Sequence, residues 1–292
     1  MKALIIGIDS NIGKALANAL QGRGWQIYGT SRRLMQKNAH VFYVDLEHED
    51  TIANIQGEFD VIYACAALPN IAFCESNPKL SQQVNFNSQL ALAKYCITKT
   101  DNYVFLSTAA VFDGTEPNQK IENPTTPKCI YGLHKAMAET ALLRLSPKIT
   151  IVRTSKVITE NYKLINEWIT ALEQNLVIEP FHDLNLSAVP LDRLIELLQK
   201  IAEYKTHNIL HISGQEDMSY SDLAYLIAAK IQKPLHLIKP KSYLSSGLTA
   251  NMTFPFSSLD MSQTTQSYGI LPAKLEEILN LVLKGKKYCV NN

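Results

Sequence analysis

A tyrosine and a lysine four residues apart, Tyr131 and Lys135, are the side chains whose types and spacing most directly suggest chemistry. At this spacing two side chains share one face of a helix. A nearby ammonium group stabilises a phenolate, so we expect the pKa of Tyr131 to lie below its reference value of about 10. Thr108, at the end of the apolar run 103–108, could hold a carbonyl oxygen in place. Together the three predict a proton donor for a carbonyl group that receives a hydride.

A tyrosine and a lysine at this spacing are more often an exposed pair on a helix, so the interpretation depends on the rest of the chain. The start of the chain carries the apolar run 2–6, the turn Gly7-Ile-Asp-Ser-Asn-Ile-Gly13 and a helical pattern over 14–22. A buried strand, a glycine turn and a helix form the phosphate-binding arrangement of dinucleotide folds. Ser10 stands at the middle glycine position, where a small residue still allows a pyrophosphate to approach. An ordinary strand-to-helix turn is the alternative.

The residues after the second predicted strand, 25–29, bear on the choice of cofactor. In NAD-binding proteins an acidic residue about 20 positions past the glycine turn binds the ribose hydroxyls. Here Ser31 falls near that place, and Arg32 and Arg33 follow it. Forked guanidinium groups suit a 2′-phosphate. We therefore expect NADP(H) to be preferred and NAD(H) to be the second choice, the alternative being two solvated arginines.

Alternating apolar and amphipathic segments predict the fold. Further strands are expected over 40–46, 59–67, 103–108 and 149–153, and helices over 14–22, 78–98 and 131–145. This alternation is typical of an α/β protein with a Rossmann-type, doubly wound parallel sheet.

After Arg153 the alternation weakens, which predicts a smaller C-terminal substrate lobe. We expect residues 1–153 to form the dinucleotide-binding domain, with a late strand near 207–213 returning to it, and residues 154–292 to form mainly the lobe. Helices are predicted over 163–174, 191–204, 221–231 and 275–283, with irregular chain over 177–188 and 233–256. The lobe should cover the carboxyl ends of the strands, where ligands bind.

Taken in order, these motifs resemble an extended short-chain dehydrogenase/reductase of the NAD(P)-dependent epimerase/dehydratase superfamily, and within it the dTDP-4-dehydrorhamnose reductase group. The resemblance covers about residues 1 to 283. It rests on the glycine turn and on segments 64–67, 74–78, 107–108, 111–114, 131–135, 153–155, 191–194 and 209–214.

The resemblance implies roles for individual residues. Thr108 would orient the carbonyl, Tyr131 would donate the proton and Lys135 would bind the ribose. Asn85 matches an asparagine on the helix behind the site. Cofactor contacts are expected at Gly7, Ser10, Asn11, Ile12, Gly13, Arg32, Arg33, Asp45, Leu46, Ala66, Ala67, Tyr131 and Lys135.

Departures from the group's pattern indicate a changed sugar pocket. Ala109 and Ala110 stand where the group usually has Asp-Tyr, and Lys156 stands where it usually has a tryptophan. We therefore expect a substrate other than the usual 4-keto-rhamnose sugar. Lys156 could pair with an anionic group or be solvated, and His182 is a second candidate substrate contact. His134, on the helix of Tyr131, is another residue that could touch a ligand.

The expected function is NADP(H)-dependent reduction of a keto sugar carried on a nucleotide. An epimerase of the same superfamily and a non-catalytic, NADP-binding regulatory subunit are the alternatives. Dehydratases usually carry acidic residues after the threonine, so Ala109 and Ala110 disfavour dehydration.

Composition is consistent with a cytoplasmic enzyme that uses small molecules. A net charge of +1 gives no electrostatic case for nucleic acid or acidic membranes, and no apolar run approaches the roughly 18 residues of a transmembrane helix. Among oligomeric states, we consider a homodimer.

His207 and His211 are interpreted as structural, so no metal site is expected. Reduced thiols are expected at Cys65, Cys74, Cys96, Cys129 and Cys289.

Overall fold

A parallel sheet is the central element of the computed structural model, which describes residues 1–37, 39–246 and 250–284. The strands are β1 (Lys2–Ile6), β2 (Gln26–Ser31), β3 (Val41–Tyr43), β4 (Val61–Ala64), β5 (Tyr103–Thr108), β6 (Ile149–Thr154), β7 (Lys156–Ile158), β8 (Asn185–Leu186), β9 (Ala188–Pro190), β10 (Ile209–Ile212) and β11 (Met218–Ser219). Seven of them form one sheet in the order β10-β6-β5-β4-β1-β2-β3, with every neighbouring pair parallel.

Helices cover both faces of this sheet. They are α1 (Asn11–Gln21), α2 (Ile71–Ser76), α3 (Pro78–Gln82), α4 (Ser88–Cys96), α5 (Ile130–Leu145), α6 (Lys163–Glu173), α7 (Leu191–Glu203), α8 (Tyr220–Lys230), α9 (Ser262–Tyr268) and α10 (Leu275–Leu283). Leu16 of α1 and Leu198 of α7 pack on one face, and Leu92 of α4 and Leu142 of α5 pack on the other. Burial on both faces explains why the strands are continuous apolar runs. The predicted α/β doubly wound fold is confirmed.

The second half of the chain contributes to two places. Strand β10 pairs with β6 and so lies in the main sheet. Helices α6, α8 and α10 pack around a separate apolar cluster that includes Trp168, Leu223 and Leu279. This half of the chain also forms two small two-stranded sheets, β7 with β9 and β8 with β11. The domain division near residue 154 stays a prediction.

Several elements differ from the expected ones, among them α2, which was not predicted, and β8, which lies in the segment predicted to be irregular. The predicted helix over 78–98 is interrupted by a π-helical turn at Gln83–Asn87. This turn buries Asn85, whose side chain accepts from the Leu68 amide at 2.9 Å and donates to the Leu68 carbonyl at 3.1 Å, fixing the loop after β4. Helix α9 was not expected, because Ser262–Tyr268 is polar and carries no apolar period.

Candidate active site

A cleft of about 990 Å³ opens where the sheet strands end. Ligands of parallel α/β sheets bind at this edge. The predicted residues that line it are Gly7, Ser10, Asn11, Ile12, Arg32, Arg33, Asp45, Leu46, Ala66, Ala67, Thr108, Tyr131 and Lys156. Three predicted residues, Gly13, Lys135 and His182, do not line it.

The glycine turn has the geometry that a phosphate-binding loop requires. Gly7 has φ +80°, and a Cβ there would lie 2.9 Å from the Cβ of Ala66. A Cβ on Gly13 would lie 2.3 Å from the Gly7 carbonyl oxygen, although this glycine lies behind the cleft wall. Only glycine therefore allows the loop and α1 to pack this closely. Ser10 does more than replace a glycine, because its hydroxyl caps α1 by accepting from the Gly13 amide at 3.0 Å.

The N-terminus of α1 faces the cleft and fits the pyrophosphate of a dinucleotide. The amides of Asn11 and Ile12 belong to the first helical turn, where amides have no partner within the helix. Both residues line the cleft. Unpaired amides and the helix dipole together favour an anion at this position.

The ribose end of the cleft contains a carboxylate that the sequence did not predict there. Asp9, from the glycine turn, accepts from the Ser31 hydroxyl at 3.3 Å and lies 3.6 Å from Nε of Arg33. Arg32 lies 3.9 Å from a carboxylate oxygen of Glu47. Both arginines line the cleft, so a 2′-phosphate would meet two guanidinium groups and two competing carboxylates, those of Asp9 and Glu47.

The remaining predicted cofactor residues lie at the ends of neighbouring strands. Asp45 follows β3, and one of its carboxylate oxygens accepts from the Glu47 amide at 3.0 Å. Leu46 is fixed by its carbonyl, which accepts from the buried Ser88 hydroxyl at 2.6 Å. Ala66 follows β4, and its carbonyl accepts from Gln89 at 2.9 Å. These hydrogen bonds fix the backbone just after β3 and β4, where it lines the cleft.

Thr108 and Tyr131 both line the cleft, and the Thr108 side chain is close enough to lower the pKa of Tyr131. Thr108 also accepts from the Ala110 amide at 3.1 Å, which fixes its rotamer. Burial raises the pKa of Tyr131, and the Thr108 side chain lowers it only in part. The expectation of a lowered pKa is therefore wrong for this structure, because removal of the hydroxyl from water outweighs any stabilisation of the phenolate.

Lys135 explains why that expectation fails. Its ammonium group donates to the Leu106 carbonyl at 2.5 Å and lies 3.7 Å above the centroid of the Phe105 ring. The side chain is almost completely buried between α5 and β5. Burial lowers the pKa of Lys135 to about 7, opposed by the charge of Glu139.

A buried ion pair behind the site was missed at the sequence level. Arg153 of β6 and Glu139 of α5 are both buried, and their side chains are 2.7 Å apart. Ser107, adjacent to Thr108, also donates to Glu139, and Arg153 contacts the buried His211 at 3.3 Å. The signal in the sequence was a glutamate at a core-facing position of a helix, where charged residues are rarely found unless they are paired.

The candidate substrate contacts differ in position. Lys156 lines the cleft, and its ammonium group lies 5.6 Å from the centroid of the Tyr162 ring. His182 is exposed and lies outside the cleft, and its amide donates to the Lys241 carbonyl. His134 is also directed away from the cleft and is buried against Ser81, with 2.9 Å between Nδ1 and the hydroxyl oxygen.

Other sequence expectations concern thiols, metals and membranes. Cys65, Cys74, Cys96 and Cys129 are free thiols, and Cys289 lies outside the described residues. The described ranges contain no group of three or more histidine, cysteine or acidic side chains that could hold a metal ion. Within the same ranges no helix is both long and apolar enough to cross a membrane.

The seven-stranded parallel sheet, the glycine loop and the Thr108–Tyr131 pair define the class of extended short-chain dehydrogenases/reductases. The family model described as the RmlD substrate binding domain matches residues 1–287, and the chain belongs to that family.

Individual relatives agree with this assignment. The chain is 26% identical over 293 residues to a dTDP-4-dehydrorhamnose reductase from Aggregatibacter actinomycetemcomitans, covering 95% of this chain and 97% of the relative. It is 24% identical over 254 residues to methionine adenosyltransferase 2 subunit beta from Xenopus laevis, covering 82% and 75%. The crystal structure of dTDP-4-dehydrorhamnose reductase from Bacillus anthracis in complex with NADP superposes with a TM-score of 0.82 at 21% identity, covering 96% and 97%.

Proposed function

We propose that this protein reduces a keto sugar carried on a nucleotide, with NADP(H) as the preferred cofactor and Tyr131 as the proton donor. The observation that carries the proposal is that Thr108 and Tyr131 line the same cleft as the glycine loop. The family, and a relative named dTDP-4-dehydrorhamnose reductase along nearly the whole chain, support the substrate class.

The chain's own residues fit a dinucleotide at the amino half of the cleft. The amides of Asn11 and Ile12 would bind the pyrophosphate, and Arg32 and Arg33 would bind a 2′-phosphate. NADP(H), when bound, supplies a hydride to the carbonyl carbon. Lys135 donates one hydrogen bond to the Leu106 carbonyl, and the other two N–H groups of its ammonium group would bind ribose oxygens.

The proton comes from Tyr131. Because burial raises the pKa of Tyr131, the hydroxyl remains protonated near neutral pH and can donate to a carbonyl oxygen. The Thr108 hydroxyl stabilises the phenolate that remains, and its bond from the Ala110 amide keeps it oriented.

The first test is Tyr131→Phe, assayed by NADPH absorbance with nucleotide-linked keto sugars. Loss of a general acid should reduce turnover by about 10² to 10⁴, with little change in the thermal midpoint or in NADPH affinity. Tyr204→Phe is the matched control, because Tyr204 is exposed and lies outside the cleft. Near-normal turnover by Tyr131→Phe would refute the assignment.

A second candidate function is a non-catalytic, NADP-binding regulatory subunit. The similarity to methionine adenosyltransferase 2 subunit beta favours it, as does the burial of Lys135, which does not line the cleft. The candidate predicts NADPH binding without consumption by any keto sugar, whereas an epimerase would change sugar stereochemistry without net consumption of NADPH.

A further inference from the structure

The cleft is charged on one side and almost uncharged on the other. Five of its charged lining residues, Asp9, Arg32, Arg33, Asp45 and Glu47, come from the cofactor half. Among the described lining residues from 154 onward, Lys156 is the one with a formal charge. This half of the cleft therefore carries a positive charge that no lining carboxylate balances.

Lys156 lines the same cleft as the proposed proton donor, Tyr131. Thr154, two residues earlier, is the register partner of Thr108 across β5 and β6. The Lys156 amide donates to the Ser187 carbonyl at 3.1 Å, which fixes the backbone at this position. A sugar bound in the cleft with its carbonyl oxygen at Tyr131 would therefore share the cleft with the ammonium group.

The Lys156 ammonium group has an aromatic contact but no acidic partner. It lies 5.6 Å from the centroid of the Tyr162 ring, and none of the ion pairs within 4.0 Å among the described residues includes it. Lys241 provides a contrast, because it lies 5.7 Å from the Phe181 ring but is also 3.0 Å from a Glu179 carboxylate oxygen. Lys241 does not line the cleft.

Ser155 is a second, independent indication of a ligand. The residue lines the cleft and is 8% exposed, and its buried hydroxyl has no hydrogen-bond partner among the described residues. Buried hydroxyls are normally paired, and an unpaired one costs stability. Rotation of this side chain toward the cleft would allow an oxygen atom of a ligand to supply the missing partner.

We propose that Ser155 and Lys156 form a subsite for an anionic oxygen group of the substrate, either a carboxylate on the sugar ring or the diphosphate that joins sugar and nucleoside. The inference rests on the proposed function for the position of the sugar. It adds a substrate class, because a tryptophan at position 156 would contact the sugar through an apolar face, whereas a lysine selects an anion.

The test is equilibrium binding to the full chain loaded with NADP⁺, which does not depend on turnover. Calorimetry would compare four probes: UDP, dTDP, UDP-glucose and UDP-glucuronate. Lys156→Met should weaken binding about 10- to 100-fold, the range expected for loss of one charge-assisted hydrogen bond. Lys241→Met, the matched lysine outside the cleft, should leave binding unchanged.

The pattern across the probes distinguishes the two sources of charge. Equal weakening of all four by Lys156→Met identifies the diphosphate, and weakening of UDP-glucuronate alone identifies a sugar carboxylate. No weakening of any probe, equal weakening by Lys241→Met, or no binding to the unmodified protein would overturn the subsite. Intact Lys156-dependent binding without NADPH oxidation would reject the proposed function and leave the subsite standing.

Ser155→Ala separates a ligand role from a structural one. Removal of an unpaired hydroxyl should leave the thermal midpoint unchanged or raise it, while binding of the same probes weakens. A lower thermal midpoint with unchanged binding would show that the hydroxyl serves the fold, and Ser155 would be removed from the proposal.

Discussion

At the scale of single residues, burial sets the properties of the proposed catalytic groups. It raises the pKa of Tyr131 and lowers that of Lys135 to about 7, so near neutral pH the phenol is protonated and the lysine is easily neutralised. The ammonium group of Lys135 is bound to the Leu106 carbonyl.

Lys135 should make stability depend on pH. Its pKa is lower in the folded than in the unfolded chain, so between about pH 7 and 10.5 the unfolded chain binds more protons and stability rises with pH. The penalty is fully present below pH 7. Between pH 7 and 8.5 the rise should be on the order of 1 to 2 kcal/mol, measured by urea unfolding without cofactor.

Lys135→Met is the control for this pH effect, because it should remove that rise while other groups titrate unchanged. The same slope in the wild type and in Lys135→Met would show that Lys135 is charged and well solvated in the folded chain.

Sequence patterns identified some of these residues and missed others for a physical reason. Tyr131 and Thr108 are recognisable because each ends or begins an element whose direction the pattern fixes. The rotamer of Lys135, the approach of Asp9 to Arg33 and the Glu139–Arg153 pair depend on tertiary packing. No spacing in the chain encodes them.

At the scale of elements, the position of α5 depends on one glycine. A Cβ on Gly132 would lie 2.0 Å from the Ala110 carbonyl oxygen, so the helix of Tyr131 touches the backbone of the 3₁₀ turn Ala109–Val111. That turn also supplies the amide that orients Thr108. Close contact between helix and turn therefore aligns the two hydroxyls.

Gly132→Ala should separate α5 from the turn. We expect a loss of about 1 to 3 kcal/mol in the free energy of unfolding, typical of overpacking, and a larger proportional loss of turnover. Gly22→Ala is the control, because a Cβ there makes only ordinary contact, at 3.5 Å from the Asn18 carbonyl oxygen. Chemical denaturation and NADPH oxidation would be measured together, and a neutral Gly132→Ala would contradict the close approach.

At the scale of the whole molecule, one cleft joins a charged cofactor half to an aromatic substrate half. The residues that depart from the reductase pattern line this cleft, where they could contact a substrate: Ala109, Ala110 and Lys156. The expectation of a sugar other than the usual 4-keto-rhamnose substrate therefore stays a prediction. Efficient reduction of the dTDP-4-keto-6-deoxy sugar, with kcat/KM of about 10⁴ to 10⁸ M⁻¹s⁻¹, would contradict it.

The relative affinities for NADPH and NADH test the proposed role of the charged residues in the cofactor half of the cleft. Replacing Arg32 and Arg33 together by alanine should weaken NADPH binding by about 10-fold or more while changing NADH binding little. Asp9→Asn should have the opposite effect and strengthen NADPH relative to NADH, because it removes the competing carboxylate beside Arg33. Arg23→Ala, outside the cleft, is the control for general charge. Equal affinities of the unmodified protein for the two cofactors would contradict the predicted preference for NADPH.

Following the hydride itself would show whether this protein is a reductase. NADPH carrying deuterium at the transferred position would be incubated with the protein and a panel of nucleotide-linked keto sugars, and the sugar products analysed by mass spectrometry. We expect stoichiometric consumption of NADPH and deuterium on the former carbonyl carbon of at least one sugar. Bound but unconsumed NADPH, with every sugar unlabelled, would contradict it.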